Sequence, residues 1–188
     1  MSEIAELPEG LWYQPDVDTS QIPAIAGVEA VRSIRVPARV EYLYTPGRAP
    51  TRFLRALAEK RIMGERCPVT GKVYVPPRGV SPVVGLPTEE QVELGHRGTV
   101  TTFCVVDIAF TGQVTETPFV SALVLIDGAD ITLHGLIQGI PPADVRPGMR
   151  VEAVWVPDDE LSTSFENIRW WRPSGEPDVD PDTIREYL

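Results

Sequence analysis

The chain has 188 residues, of which 43% are hydrophobic, and this is enough for one good core and a smaller appended module. Its formal net charge of -10 argues against non-specific binding to nucleic acid, because affinity for phosphate backbones comes from clustered Lys and Arg. No long apolar run or basic leader is present, and the only cysteines are Cys67 and Cys104, so the sequence predicts a cytoplasmic protein with reduced thiols and no membrane span.

The N-terminal region, residues 1–50, is predicted to be an arm followed by a short strand. Residues 1–27 are rich in Pro, Asp and Glu and show no sustained period, whereas residues 36–44 alternate apolar and polar side chains. An aromatic cluster at Trp12 and Tyr13 interrupts the arm. Such a cluster predicts contact with a partner protein, and packing back onto its own domain stays open as the alternative.

A basic, amphipathic helix is predicted over residues 51–64, with Thr51 as its N-cap and Gly64 at its end. Its apolar residues recur at spacings of one, three and four, which places them on one face: Phe53, Leu54, Leu57, Ala58 and Ile62. We expect this face to be covered, and Phe53 is a candidate for contact with a partner.

Residues 65–90 are dense in Gly and Pro, which suits small knuckles or hairpins, and we expect a separate minor module there. Residues 91–172 contain five apolar runs separated by turn-forming segments, which predicts a small barrel of five strands. The predicted strands are Thr99–Phe110, Phe119–Ile126, Ile131–Ile137, Met149–Val156 and Phe165–Trp171. The tail, residues 173–188, is acidic and ends in a predicted short helix at Asp182–Leu188.

Positive charge is concentrated between residues 48 and 78, where eight basic residues and two acidic ones give a net charge of +6, leaving -16 for the rest of the chain. An ordinary exposed helix mixes both signs, so this segregation favours a polyanionic ligand. Salt bridges to a partner subunit or to the acidic remainder of this chain are the alternative. Phosphate contact or partner docking is predicted for six cations: Arg52, Arg55, Arg61, Arg66, Lys72 and Arg78.

The stretch FLRALAEKRIMGERCPVTGKVYVPPRGVSPVVG resembles the start of an acyl-CoA-associated OB-fold family, the domain of unknown function numbered thirty-five. Members carry a helix, Cys-x-x-Cys-Gly, Pro-Pro-Arg and a second Cys-x-x-Cys-Gly before the barrel. The resemblance covers residues 40–172 and includes PPADVRPGMRVEAVWV, which is similar to the turn into the fourth barrel strand. It implies a mainly β fold: a five-stranded OB-fold barrel preceded by a helix and a rubredoxin-like zinc ribbon.

The four zinc-ligand positions of the family fall on Cys67, Thr70, Ser81 and Val84. Structural zinc requires four thiolate or imidazole ligands, so we predict a degenerate ribbon without metal. We expect apolar packing to preserve its shape, through Val69, Val73, Val75, Val83 and Val84.

The resemblance implies a non-catalytic accessory subunit of a thiolase-fold enzyme, either a thiolase or a lipid-transfer-protein-like aldolase that shortens steroid side chains. It further implies two copies on a dimeric partner, as a two-plus-two heterotetramer, because thiolase-like enzymes are usually two-fold symmetric. We expect no covalently bound cofactor, with acyl-CoA as a ligand shared with the partner.

Catalytic groups of the chain's own are not predicted. His96 and His134 lack a Cys or second His at metal-ligand spacing and are expected to be structural. Cys104 lies in an apolar run, which predicts a buried and inert thiol, and Asp107 is expected to face solvent although it could serve a partner as a general base.

Trp170 and Trp171 are consecutive residues of a predicted strand, so at least one of them should point outward and contact a partner.

Two other functions stay open. The barrel could bind single-stranded nucleic acid through exposed aromatics, although its basic residues are outnumbered by acids. The protein could also be a structural adaptor that binds no ligand.

Overall fold

The structure is a computed structural model that describes residues 43–109 and 115–187. The predicted arm, its strand up to residue 42, and the predicted interface residues Trp12 and Tyr13 lie outside the described residues. One compact unit spans Thr45–Leu188, and its described residues form one α-helix, eight strands and four 3-10 turns. No helix in the described part of the chain is long and apolar enough to cross a bilayer.

The helix α1 spans Arg48–Leu57, so it begins and ends earlier than predicted. Thr51 is not the N-cap, because Gly47 occupies that position and its carbonyl accepts the Thr51 N–H at 3.0 Å. The chain then turns through Lys60, whose φ of 54° lies in the left-handed region and ends the helix. Ile62 is fully buried as predicted, but it lies in a strand and not in the helix. Its spacing from the helical residues matches a helical period, which is why the predicted helix was too long.

A three-stranded antiparallel sheet follows the helix. Its central strand β1 (Ile62–Arg66) pairs with β2 (Val73–Tyr74) on one side and β3 (Glu90–Leu94) on the other. Gly64, predicted to stop the helix, lies inside β1. A Cβ there would lie 2.7 Å from a methyl carbon of Val73, so tight packing requires glycine at this position.

The five predicted barrel strands are confirmed as β4 (Arg97–Val106), β5 (Phe119–Ile126), β6 (Thr132–Ile137), β7 (Arg150–Trp155) and β8 (Ile168–Pro173). They close in the order β4-β5-β6-β8-β7, with β6 and β8 parallel and the other pairs antiparallel. The last strand begins later than predicted because Phe165–Asn167 form a 3-10 turn capped by the side chain of Ser164.

One hydrophobic core runs from the helix and small sheet into the barrel, from Phe53 and Leu57 to Val151 and Trp171. The separate module expected at residues 65–90 therefore shares its core with the barrel. Phe53 and Trp171 were predicted to contact a partner, but both belong to this core. They are 0% and 1% exposed, so neither is available at the surface. Trp171 fits inside because Gly135 opposite it has no Cβ, which would lie 2.6 Å from the indole.

The acidic tail folds back onto the barrel. Glu176 accepts from Arg97 at 2.6 Å and from Arg150 at 3.0 Å, and Asp178 accepts from Arg146 at 2.5 Å. The predicted terminal helix is a 3-10 turn at Pro181–Tyr187 that buries Ile184. These contacts attach the tail through ion pairs and one apolar side chain.

Candidate functional site

Two short turns of the small module, which we call the knuckles, have the same backbone structure. The first covers residues 67–71 (CPVTG) and the second covers residues 81–85 (SPVVG). In each knuckle, the N–H of the first residue donates at 2.8 Å to the carbonyl of the residue that follows the knuckle. The N–H of the fifth residue donates to the carbonyl of the first residue, at 3.0 Å in the first knuckle and 2.9 Å in the second. The fifth residue is a glycine with φ of 72° and 69°, a conformation that favours glycine.

The knuckles meet at their first residues. Sγ of Cys67 lies 3.3 Å from Oγ of Ser81, which is 3.4 Å from the hydroxyl of Tyr74, and the Thr70 N–H donates to the sulfur at 3.4 Å. Hydrogen bonds from Ser81, and then from Thr70, lower the pKa of the Cys67 thiol to about 6. Three of the four predicted ligand positions therefore come together, while Val84 is partly exposed.

The predicted replacement of zinc by valine packing is only partly right. Val73 and Val75 are buried, at 2% and 0% exposure. Val69, Val83 and Val84 are exposed by 63%, 69% and 36%, because they lie in the middle of the knuckle turns and project away from the core. None of these three belongs to the hydrophobic core, so the predicted apolar packing rests on Val73 and Val75.

A buried carboxylate joins the helix to the small sheet and the second knuckle. Glu65 on β1 is 0% exposed and receives four hydrogen bonds. Oε1 accepts from the Arg52 guanidinium at 2.6 Å and from Gln91 at 2.9 Å, and Oε2 accepts from the Thr88 hydroxyl at 2.9 Å and the Gly79 N–H at 3.1 Å. Glu65 was not among the residues predicted from the sequence, although an acid within a strongly basic segment was a usable signal.

The six predicted cations divide into two groups. Three are held by acids of the same chain, as the salt-bridge alternative requires: Arg52 by Glu65, Arg61 by Glu59 and Glu93, and Arg66 by Glu90. The other three, Arg55, Lys72 and Arg78, are exposed and form no ion pair within residues 43–109 and 115–187. The second group retains its full charge for a ligand or partner.

A cleft of about 480 Å³ opens at the start of α1, and its charged lining residues are Arg48, Arg52 and Arg78 with one acid, Glu89. Arg48 is exposed and has no ion pair in the described part of the chain, whereas Arg52 is shared with Glu65. The first helical turn has no acid and its N-cap, Gly47, supplies no side-chain bond, so among the described residues α1 itself does not compensate its positive end. The cleft is suited to a phosphate-bearing ligand.

The basic residues of the barrel are mostly neutralised. Arg150 bonds both oxygens of Asp127 at 2.6 Å, and this contact raises its pKa further. Arg172 pairs with Glu152 at 2.7 Å, and the tail holds Arg97 and Arg146. The Arg169 guanidinium lies 4.8 Å above the ring of Trp170, which faces outward and is half-buried.

The candidate groups for chemistry on the barrel include one adjacent set, Cys104, Ser121 and His134. Cys104 is exposed, so its predicted burial is wrong: the outer face of β4 carries it opposite Ser121. Ser121 itself shares a 2.6 Å hydrogen bond with His134. His96 accepts from the Trp155 indole at 3.3 Å, and Asp107 faces solvent as expected. No cluster of three metal-ligating side chains occurs in the described residues.

The family model described as "ChsH2, C-terminal OB-fold domain" matches residues 91–156. A DUF35 domain-containing scaffold protein of Methanocaldococcus jannaschii is 40% identical over 96 residues, which cover 50% of this chain and 67% of the relative. The chain belongs to the DUF35 family. A second DUF35 domain-containing scaffold protein, from Pyrococcus furiosus, is 29% identical over 105 residues, or 55% of this chain and 76% of that relative.

Two solved structures share the fold. One is described as an Ltp2-ChsH2(DUF35) aldolase, with a TM-score of 0.53 and 24% identity over 70% of this chain and 99% of the other. The second is a DUF35 protein of unknown function from Sulfolobus solfataricus, with a TM-score of 0.51 and 20% identity over 68% and 84% of the two chains. Together with the DUF35 relatives, these matches confirm the resemblance to the domain-of-unknown-function family numbered thirty-five. They also confirm the mainly β fold with an OB-type barrel.

Proposed function

We propose that this protein is a non-catalytic accessory subunit of a thiolase-fold enzyme that acts on acyl-CoA, either a thiolase or a retro-aldolase of steroid side chains. The observation that carries the proposal is the 40% identity to a DUF35 protein described as a scaffold. The likeness of fold to a chain of an Ltp2-ChsH2(DUF35) aldolase supports the aldolase form. The partner supplies the catalytic groups, and this chain supplies interface area.

The chain also contributes contacts to the phosphates of CoA. The cleft at the start of α1 carries Arg48 and Arg78, which form no ion pair within the described residues, the remaining donors of Arg52, and a helix N-terminus without a side-chain cap. Arg55 and Lys72 add positive charge on the same module, whereas Arg61 and Arg66 are occupied by acids. A diphosphate accepts hydrogen bonds from paired guanidinium groups, so the ADP end of CoA matches this set of donors.

The accessory role is tested by comparing turnover of the isolated chain with turnover of the complex it forms with a thiolase-fold chain from the same genome. The isolated protein should give no thiolytic or retro-aldol cleavage of acyl-CoA substrates. The co-purified complex should cleave them. Turnover by the isolated chain would refute the accessory role.

The phosphate contacts are tested by the double variant Arg48→Glu, Arg78→Glu in the assembled complex. We expect acyl-CoA affinity to fall by about tenfold to a hundredfold, the size of one or two lost charge-assisted hydrogen bonds. Acyl-pantetheine, which lacks the phosphates, should bind both proteins equally. The control is Arg61→Glu, which alters a cation already paired with acids.

Equal loss for acyl-pantetheine would contradict phosphate contact. Loss of assembly in the double variant would instead support the adaptor that binds no ligand.

Binding to single-stranded nucleic acid is less well supported, because the barrel arginines are paired with Asp127, Glu152, Glu176 and Asp178. A salt-dependent shift of a labelled oligonucleotide would revive it.

A further inference from the structure

The two knuckles expose a group of aliphatic side chains, which we call the knuckle surface. It consists of Val69 and, around the second knuckle, Val80, Val83, Val84 and Leu86, with exposures of 63%, 43%, 69%, 36% and 45%. Single exposed apolar residues are ordinary, but here five fall within an eighteen-residue segment whose two turns are in contact through Cys67 and Ser81, which marks a candidate interaction site.

The knuckle surface is held on a rigid base. Each knuckle closes with two backbone hydrogen bonds, and the two knuckles are in contact through Cys67 and Ser81. The chain just before the second knuckle is fixed by the Gly79 N–H, which donates to buried Glu65. Side chains presented on such turns lose little conformational entropy when a partner covers them.

Unpaired cations flank this apolar group. Lys72 directly follows the first knuckle and Arg78 precedes the second, and both are exposed without an ion pair in the part of the chain that the structure describes. The complementary surface is therefore apolar at its centre with carboxylates at its rim.

We propose that the knuckle surface docks onto an acid-rimmed apolar patch of the thiolase-fold subunit. The proposal rests on the accessory role argued above and adds the surface through which the two subunits meet. Burial of the valines forms the centre of the contact, and Lys72 orients it by pairing with a carboxylate.

The test is the double variant Val69→Glu, Val83→Glu, with its affinity for the thiolase-fold subunit measured by surface-based or calorimetric binding. We expect affinity to fall by at least about a hundredfold, since two charges would be buried against an apolar patch. The unfolding midpoint should stay unchanged, because both side chains are exposed. The matched control is Val105→Glu, Ile108→Glu, on exposed barrel residues, which should bind like the wild type.

A second variant, Lys72→Glu, should weaken binding mainly through the association rate and reduce its dependence on salt. If the Val69→Glu, Val83→Glu variant binds as tightly as the wild type, the docking surface is refuted and the accessory role stands. If no thiolase-fold chain of the genome binds the wild type, the accessory role itself fails and the docking surface fails with it. Binding of wild type to vesicles of mixed neutral and anionic lipid, lost in the double variant, would replace the protein partner by a membrane.

Discussion

Glu65 is the residue on which most of the small module depends. Its carboxylate is inaccessible to water and bonds to four groups, from α1, from the segment before the second knuckle, from Thr88 and from β3. A buried charge is tolerable only when its hydrogen bonds are complete, and here they are. The carboxylate thus joins α1, β3 and the two segments that flank the second knuckle.

Replacing Glu65 with Ala should destabilise the protein by about 3 to 5 kcal/mol, because it removes one partner of a buried charged network and leaves donors unsatisfied. Glu65→Gln keeps the shape and should cost less, about 1 to 3 kcal/mol. Urea unfolding measures both. Glu59→Ala, which removes an exposed acid, is the control and should change stability by no more than about 0.5 kcal/mol. A Glu65→Ala protein as stable as the control would contradict this role.

Cys67 should make stability depend on pH in a defined direction. Its pKa in the folded protein is about 6, below the value of about 8.5 for a free thiol, so folding favours the thiolate. The stabilisation is therefore complete above about pH 8.5 and is lost as pH falls through about 6. The wild type should therefore gain stability relative to Cys67→Ser as the pH rises from about 6 to about 8.5. The midpoints of urea unfolding measure this difference.

The direct measurement is thiolate absorbance in a Cys104→Ser background, which leaves Cys67 as the only thiol. A midpoint near pH 6 is expected. A midpoint at or above the free-thiol value would show that Ser81 and Thr70 do not stabilise the thiolate.

At the scale of elements, strand alternation and turn composition were enough to predict the barrel. The run from Phe119 to Ile126 alternates inside and outside without exception, and its predicted bounds are those observed. The helix was harder, because Ile62 continues a helical spacing although it belongs to β1. The site was hardest: the pairing of Arg52 with Glu65 and the exposure of Val83 depend on tertiary packing, which no local pattern encodes.

The knuckles should accept zinc when their ligands are restored. The 3.3 Å between the Cys67 sulfur and the Ser81 oxygen is near the separation of about 3.8 Å between two thiolates on one zinc ion with bonds of about 2.3 Å. The variant Thr70→Cys, Ser81→Cys, Val84→Cys is expected to bind one zinc ion per chain, measured by metal analysis and by the spectrum of tetrahedral cobalt.

A matched control places the last cysteine one residue away, as Thr70→Cys, Ser81→Cys, Val83→Cys, which should bind zinc more weakly because residue 83 points outward. The wild type should bind none. Equal zinc binding by the control and the restored variant would contradict the knuckle geometry.

At the scale of the whole molecule, charge is sorted between two regions. The segment 48–78 is strongly basic, while acids of the tail neutralise the barrel arginines at Arg97, Arg146 and Arg150. Within residues 43–109 and 115–187, cations without an ion pair therefore remain chiefly around α1 and the knuckles. Anionic ligands and acidic protein surfaces should therefore be attracted to the part of the molecule that contains α1 and the knuckles.

The most direct test of the accessory role is the mass of the complex formed with a thiolase-fold chain from the same genome, measured by light scattering after size exclusion. For the wild type we expect a single species containing two copies of each chain, and Val69→Glu, Val83→Glu should disrupt it. Separate elution of the two proteins at micromolar concentration, with this chain as a monomer, would contradict it.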